Sequence, residues 1–379
     1  MSDAFDGIVG QPKVRDFLRA TVASDRTIHA YLFTGPAGSN KTQAAFAFAQ
    51  AILCPKGPQG PRGGLCGSCD ICRKVARRTH PDVVYCAPEG AAGYLVGQVR
   101  NLISSVSMAP IQASRKVYIV DRADLLGVQA ANAFLKTLEE PPDDVVIVLL
   151  ARTAESVLPT IVSRCQVVPF RTIPQSEACA LVVQNSGASL PEARRALAAC
   201  DGSIERAVAL LGSTDQRSMR KRVLSVLGCL QQADDWDVVG YGRELLGLVK
   251  LPDDAAQAKL QEQLDENRDF LSKSAIRQLE ERNKRQITAK TTAQMRMLGS
   301  ISRSWLRDIM VASAGRGDLV VNDDALASIQ AVAARGDTAR AAAALAAVDR
   351  FLQAIPYNVS PETNIDSLLF EIRRCLFAR

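Results

Sequence analysis

Histidine, aromatic residues and long apolar runs are scarce in this sequence of 379 residues. Only His29 and His80 are present, so acid–base catalysis centred on histidine has little material. Aromatic residues make up 5% of the chain, and the cores are therefore expected to consist mainly of Ala, Leu, Val and Ile. No apolar run approaches the roughly 18 residues that a membrane-spanning helix needs, which argues against an integral membrane protein.

The first residues also lack the basic segment and apolar stretch of a secretory signal. We therefore expect a cytoplasmic protein. In that compartment the ten cysteines are expected to be thiols or metal ligands rather than disulfides. The net charge of +6 permits a polyanionic partner without establishing one.

Apolar runs alternate with helical patterns in the first part of the chain. Near-continuous apolar strands separated by helices indicate an α/β fold whose parallel sheet is covered on both faces. One connecting helix is predicted over 129–140, where two prolines end it. After about residue 170 the strand pattern fades and helical patterns take over. The predicted strands are 31–34, 83–86, 116–121 and 145–150.

Residues 35–42 read Gly-Pro-Ala-Gly-Ser-Asn-Lys-Thr and nearly form a phosphate-binding loop. The full pattern is G-x-x-x-x-G-K-[ST], in which backbone N–H groups and the lysine surround phosphates and the hydroxyl holds Mg²⁺. Gly35, Gly38, Lys41 and Thr42 are in place, whereas Asn40 replaces the second defining glycine. Asn tolerates a positive φ better than most residues, so the loop can still close. Two interpretations stay open: a weak site for ATP with Mg²⁺, and a remnant turn that binds nothing.

The end of the third predicted strand departs from the pattern of an active ATPase. Asp121 is the residue expected to help hold Mg²⁺. Active enzymes of this class place a glutamate next, which polarises the attacking water, but this chain has Arg122. Because a cation cannot accept that proton, we expect no hydrolysis by this chain alone. Asp124, two residues further on, is a poor substitute.

Four cysteines, Cys54, Cys66, Cys69 and Cys72, share one short stretch rich in Gly and Pro. Four thiolates around Zn²⁺ make a closed tetrahedral site, so we predict structural zinc at 54–72 and disfavour catalytic zinc. Free surface thiols and redox pairs are the alternatives. The cysteines that stand singly in apolar contexts are predicted to be core residues: Cys86, Cys179, Cys200, Cys229 and Cys375.

Together these motifs resemble the clamp-loader family of bacterial DNA polymerase III within the AAA+ superfamily, and its delta-prime subunits in particular. The resemblance covers about residues 1–212. It implies an AAA+ P-loop sheet domain with an inserted zinc knuckle at 1–170, a small helical lid domain at 171–212, and an all-α collar domain at 213–379. The matching segments are 29–36, the cysteine cluster, 79–82, 131–142 and 158–165.

The segment Ser163-Arg164-Cys165 resembles the family's SRC motif, whose arginine reaches into a neighbouring subunit's ATP site. The resemblance implies that Arg164 is an arginine finger in trans, which stabilises charge on the γ-phosphate. Outside that context a surface arginine beside a strand is the alternative. The family also has a sensor arginine two positions after Gly-Ser. Here Glu205 takes that place and Arg206 comes one residue late, which turns its side chain by about 100° on a helix.

The resemblance implies a non-motor subunit of a pentameric clamp loader, without an ATPase of its own. Its implied partners are the gamma/tau and delta subunits and, through the complex, the sliding clamp and primed DNA. One alternative is an active gamma/tau-like ATPase, against which Asn40 and Arg122 stand. The other is a zinc-knuckle nucleic-acid-binding protein on a decayed AAA+ fold. The knuckle lacks the interleaved basic and aromatic residues that such binding requires.

Overall fold

Two compact units make up the chain, Met1–Ala178 and Cys179–Arg379. The computed structural model describes residues 4–56, 66–89, 93–266, 273–357 and 359–377. The stretch 57–65, inside the predicted zinc module, lies outside the described residues. The predicted division into three domains, at 170 and 212, stays a prediction.

A five-stranded parallel sheet lies at the centre of the first unit, and it confirms the predicted α/β fold. The strand order is β2-β3-β4-β1-β5. Because all strands run the same way, their carboxyl ends meet at one edge, where ligands of open α/β sheets bind. The strands are β1 (Ala30–Thr34), β2 (Val83–Cys86), β3 (Lys116–Val120), β4 (Val145–Ala151) and β5 (Gln166–Pro169).

Side chains of each strand alternate between two cores, one on each face of the sheet. Tyr31 and Phe33 pack into the first core, and Ala30 and Leu32 pack into the second. The helices that line the first core are α1 (Pro12–Ala23), α2 (Lys41–Leu53) and α3 (Asp70–Ala76). Those that line the second are α4 (Val96–Val106), α5 (Val128–Glu139) and α6 (Pro159–Val162).

Two sequence predictions need correction. The strand β5 was missed, because four residues ending in proline carry little pattern of their own; it forms by pairing with β1, with Val167 opposite Leu32. Cys229 was predicted to be a core residue, but it is exposed at the end of its helix. Cys179 and Cys200 are buried as predicted, and Cys86 and Cys375 are half-buried.

Helices form the second unit. Gly187 and Gly202 adopt positive φ of 69° and 75° and separate the first three helices. Within the described residues, no helix is long and apolar enough to cross a membrane. Counting α7, which begins at the end of the first unit, the helices are α7 (Gln175–Ser186), α8 (Leu190–Ala199), α9 (Ile204–Gly212), α10 (Thr214–Cys229), α11 (Asp235–Glu266), α12 (Lys273–Ser313), α13 (Leu326–Ala333), α14 (Thr338–Ala354) and α15 (Pro361–Phe377).

Candidate functional site

The phosphate-binding motif forms the turn between β1 and α2, at the carboxyl edge of the sheet. Gly35 has φ 155° and lies so close to the chain after β5 that a Cβ would be 2.6 Å from the carbonyl oxygen of Phe170. Gly38 has φ 78°. Gly35 therefore needs to be glycine, and Gly38 adopts a left-handed conformation that favours glycine. Thr42 lies in the first turn of α2 and is half-buried.

Asn40 adopts the left-handed conformation that its place in the motif demands. Its φ is 68° and its ψ 22°, and it directly precedes α2. Its side chain donates from Nδ2 to the carbonyl oxygen of Gly7, at 2.9 Å. A glycine at this position would make no such bond. The substitution thus leaves the turn intact but ties it to the short helical turn at Ala4–Gly7.

Lys41 is folded back onto its own loop. Its Nζ donates to the carbonyl oxygens of Gly35 and Pro36, at 2.6 and 2.8 Å, and to the hydroxyl of Ser39, at 3.1 Å. An ammonium group has three protons, so its donors are all used. Burial lowers the pKa of Lys41 to about 8, against the opposing attraction of the Asp121 and Asp124 carboxylates. The loop thus provides hydrogen-bond acceptors for all three donors of its own lysine.

Asp121 follows β3 directly, and both of its carboxylate oxygens are engaged. Oδ2 accepts from the hydroxyl of Tyr85, at 2.8 Å, and Oδ1 accepts from the backbone N–H of Arg122, at 3.0 Å. Sequence analysis missed Tyr85. It lies at the end of β2, the strand that pairs with β3, and only that pairing brings it to Asp121.

Arg122 occupies the place where active ATPases carry a glutamate, and it is held there firmly. It adopts a left-handed conformation with φ 52°. Its Nε and Nη2 donate to the carboxylate of Asp124, at 3.1 to 3.3 Å. The Asp124 side chain is only 8% exposed. This carboxylate is therefore neutralised by the arginine and is not a free base.

The four predicted zinc ligands lie together beside α2 and α3. Their sulfur atoms are all within 4.8 Å of one another. Backbone N–H groups donate to three of these sulfurs, each at 3.4 Å: Cys66 N to Cys54, Cys69 N to Cys66, and Cys72 N to Cys69. Such donors stabilise thiolates rather than thiols. The glycine-rich stretch that joins Cys54 to Cys66 lies outside the described residues.

The spacing of these sulfurs fits a tetrahedral metal site. With Zn–S bonds of about 2.3 Å, the edges of such a tetrahedron measure roughly 3.8 Å. Cys66 and Cys72 are 3.9 Å apart at sulfur. The pKa of Cys66 falls to about 6, because backbone donors at Ser68 and Cys69 outweigh its burial, whereas burial raises the pKa of Cys54. The cluster can thus hold one metal ion, and its all-sulfur donor set is the one preferred by structural zinc.

Arg164 follows the short helix α6, between Ser163 and Cys165 of the SRC-like motif. Its guanidinium donates to the Thr160 carbonyl oxygen, at 2.9 Å, and forms an ion pair with Glu139 at the end of α5. The Arg164 side chain is 35% exposed. Cys165 packs against the second core, where burial raises the pKa of its thiol to about 12. The motif thus has a half-exposed arginine next to a half-buried cysteine that packs against the core.

Arg206 lies in the first turn of α9 and is used locally. Its Nη2 donates to the carbonyl oxygen of Cys200, at 2.6 Å, and lies 3.6 Å from the carboxylate of Asp201. Asp201 also accepts a hydrogen bond from Ser300, at 2.6 Å. Arg206 is therefore part of a polar network within the second unit.

Comparisons with known proteins find similarity to subunits of DNA polymerase III. Residues 10–174 match the family described as "DNA polymerase III, delta subunit". The DNA polymerase III subunit delta' of Bacillus subtilis is 32% identical over 223 residues, which are 59% of this chain and 65% of that protein. The first part of the chain is thus similar to this family and to a delta' subunit. The tau subunit of the same organism is 34% identical over 169 residues, which are 45% of this chain and 29% of that subunit.

A solved structure of a gamma subunit-related protein of DNA polymerase III from Thermotoga maritima is 19% identical. It covers 95% of this chain and 99% of its own, with a TM-score of 0.45. This chain spans less than two thirds of the length of the two curated relatives. The family match at residues 10–174 lies within the first unit, so the delta-prime resemblance is best supported there. That unit contains the phosphate loop, the cysteine cluster and Arg164.

Proposed function

We propose that this chain is a non-motor, delta-prime-like subunit of a replicative clamp loader. It supplies Arg164 in trans to the ATP site of a neighbouring motor subunit. Its partners are gamma/tau and delta subunits, and the assembly acts on a sliding clamp and primed DNA in the cytoplasm. One contrast carries the proposal: Arg122 neutralises Asp124 where a catalytic base belongs, whereas the Arg164 guanidinium is half-exposed.

The chain's own phosphate loop is ill-suited to ATP turnover for two further reasons. Lys41 already donates to three oxygens of the loop, which a triphosphate must displace. The Asp121 carboxylate accepts hydrogen bonds from the Tyr85 hydroxyl and from the backbone N–H of Arg122. A hydrated magnesium ion has to compete with both donors for this carboxylate. These contacts support a site that binds nucleotide weakly and does not cleave it.

An arginine in trans has a clear electrostatic role. During phosphoryl transfer, charge spreads over the γ-phosphate oxygens and the leaving oxygen, and a fixed guanidinium stabilises it. Because a neighbouring chain supplies that cation, turnover requires a correctly assembled ring. Arg164 suits this task, since the neighbouring Cys165 packs against the second core while the Arg164 side chain reaches solvent.

In this proposal the cysteine cluster has a structural role. A zinc ion there would join the end of α2 to α3 through Cys54 and Cys72, both of which are buried. Four sulfur ligands leave no open position for substrate. The residues therefore support a stabilising role for the metal and no part in catalysis.

The test is ATP turnover by a complex reconstituted from this chain and the gamma/tau and delta subunits of the same organism. Arg164→Ala is expected to lower the turnover at the site it serves by about tenfold or more, because arginine fingers contribute several orders of magnitude. Arg100→Ala is the matched control, since Arg100 is an exposed arginine on α4. Equal turnover in all three complexes would remove the finger assignment.

A further inference from the structure

Glu139 is the acidic partner of Arg164, and sequence analysis did not single it out. It is the last residue of α5, which the following Pro141 and Pro142 prevent from continuing. Arg164 lies 25 positions further along the chain, and it comes near because α6 packs beside α5. The ion pair thus depends on tertiary structure rather than on a local motif.

Three features hold the guanidinium in this position. Glu139 provides a carboxylate, the carbonyl oxygen of Thr160 accepts at 2.9 Å, and the hydroxyl of Ser163 lies at 3.2 Å. The carboxyl end of α5 adds the partial negative charge of the helix dipole. Both charged side chains remain accessible, with Arg164 35% and Glu139 47% exposed. The contact can therefore open without unfolding either helix.

The geometry points to Glu139 as a positioning residue that holds Arg164 until a neighbouring chain presents a triphosphate. We call this ion-paired conformation of Arg164 the waiting position. This inference rests on the proposed function, since it needs Arg164 to act in trans. Glu139 occupies the Nη2 atom of Arg164 and Thr160 occupies Nη1, so a γ-phosphate that takes both terminal nitrogens displaces the carboxylate. Engagement of the nucleotide must then be preceded by loss of the ion pair with Glu139.

The waiting position lowers the apparent affinity of the neighbouring site for ATP. An exposed ion pair contributes about 0.2 to 1 kcal/mol, so the competent, unpaired arginine is the minor form. The apparent dissociation constant rises in inverse proportion to the fraction of Arg164 that is unpaired, by about two- to sixfold. The ion pair is absent from both the ATP-bound state and the transition state. Its removal therefore changes KM and leaves kcat unchanged.

The experiment measures ATP turnover against ATP concentration in the reconstituted complex with Glu139→Gln. We expect KM for ATP to fall about two- to sixfold with kcat unchanged. Glu140→Gln is the matched control, because Glu140 is an exposed glutamate at the next position. An unchanged KM, a higher KM or a lower kcat for Glu139→Gln would overturn the inference.

Two further arms separate this inference from the proposed function. In an Arg164→Ala complex, Glu139→Gln is expected to have no further effect, because its action passes through the arginine. High salt is expected to shrink the difference in KM between the wild type and Glu139→Gln, since exposed charges are screened. If Arg164→Ala lowers turnover but Glu139→Gln changes nothing, only the waiting position is wrong. If Arg164→Ala changes nothing, the finger itself is wrong.

Discussion

The Nζ atom of Lys41 lies 2.6 Å from the carbonyl oxygen of Gly35, the residue that opens the same loop. If Lys41 contacted a bound triphosphate, its hydrogen bond to this oxygen would be broken. The loop also satisfies the other two lysine donors, at Pro36 and Ser39. Asn40 ties the loop to Gly7 from its other side. Nucleotide binding by this chain therefore begins with breaking contacts rather than with filling an open cradle.

Replacing Asn40 by glycine is expected to strengthen binding of Mg-ATP about fivefold. The bond from Asn40 to Gly7 contributes roughly 1 kcal/mol, which corresponds to that factor when it is released. Hydrolysis is expected to stay absent, because Arg122 remains. Calorimetric titration of the purified chain measures the affinity, with Lys41→Ala as the control that removes binding. Tight binding by the wild type, or turnover by the isolated chain, would contradict this account of the loop.

Replacing Cys69 by serine is expected to remove zinc and to lower the melting temperature by about 5 °C or more. The reason is that a structural zinc ligand set contributes folding free energy directly. Metal analysis of the purified protein is expected to find about one zinc per wild-type chain. Cys229→Ser is the control, since Cys229 is exposed and far along the chain from the cluster. A wild-type protein free of zinc would refute the metal assignment.

Replacing Asp82 by asparagine is expected to destabilise the first unit by about 3 kcal/mol. Asp82 is fully buried, and its carboxylate accepts from the backbone N–H groups of Ile111, Gln112 and Ala113, at 2.7 to 2.9 Å. An amide in its place turns an N–H toward one of these donors. Urea unfolding at pH 7 measures the loss, with the exposed Asp143→Asn as the control.

The same residue gives a pH dependence. Burial raises the pKa of Asp82, but the three backbone donors and His80 outweigh it and hold the pKa below its ordinary value. A depressed pKa stabilises the folded state above the ordinary value, near pH 4, and that contribution is lost as the pH falls through the folded-state pKa. The gap between wild type and Asp82→Asn is therefore expected to narrow below pH 4. A gap that widens there would contradict the carboxylate's role.

The sequence predicted elements whose pattern is local, and missed contacts that depend on packing. Four strands were predicted within one residue of their ends because each is a continuous apolar run. The cysteine cluster was predicted from spacing alone. By contrast, Glu139 meets Arg164, and Tyr85 meets Asp121, only once helices and strands pack together. Short β5 was missed because its neighbour β1 supplies most of its stability.

Replacing Asp366 by asparagine is expected to raise the melting temperature of the second unit by about 2 °C at pH 7. Its Oδ1 is buried without a hydrogen-bond partner among the described residues, against Gly242 of α11. Burial and repulsion by Glu362 raise the pKa of Asp366, and Arg243 opposes them. A raised pKa means that stability falls as the pH rises through the ordinary value, near 4, to the folded-state pKa.

Asparagine removes this charge, so its advantage is expected to disappear below about pH 4, where aspartate itself is neutral. Thermal unfolding at both pH values checks the difference. A lower melting temperature for Asp366→Asn at pH 7 would show that the carboxylate has a favourable partner instead.

The most direct test of the central claim is the structure of the assembled complex with a non-hydrolysable ATP analogue. The account predicts that the Arg164 guanidinium has left Glu139 and lies about 3 Å from a γ-phosphate oxygen of nucleotide held by another chain. It would be contradicted by an Arg164 side chain that points away from every neighbouring nucleotide.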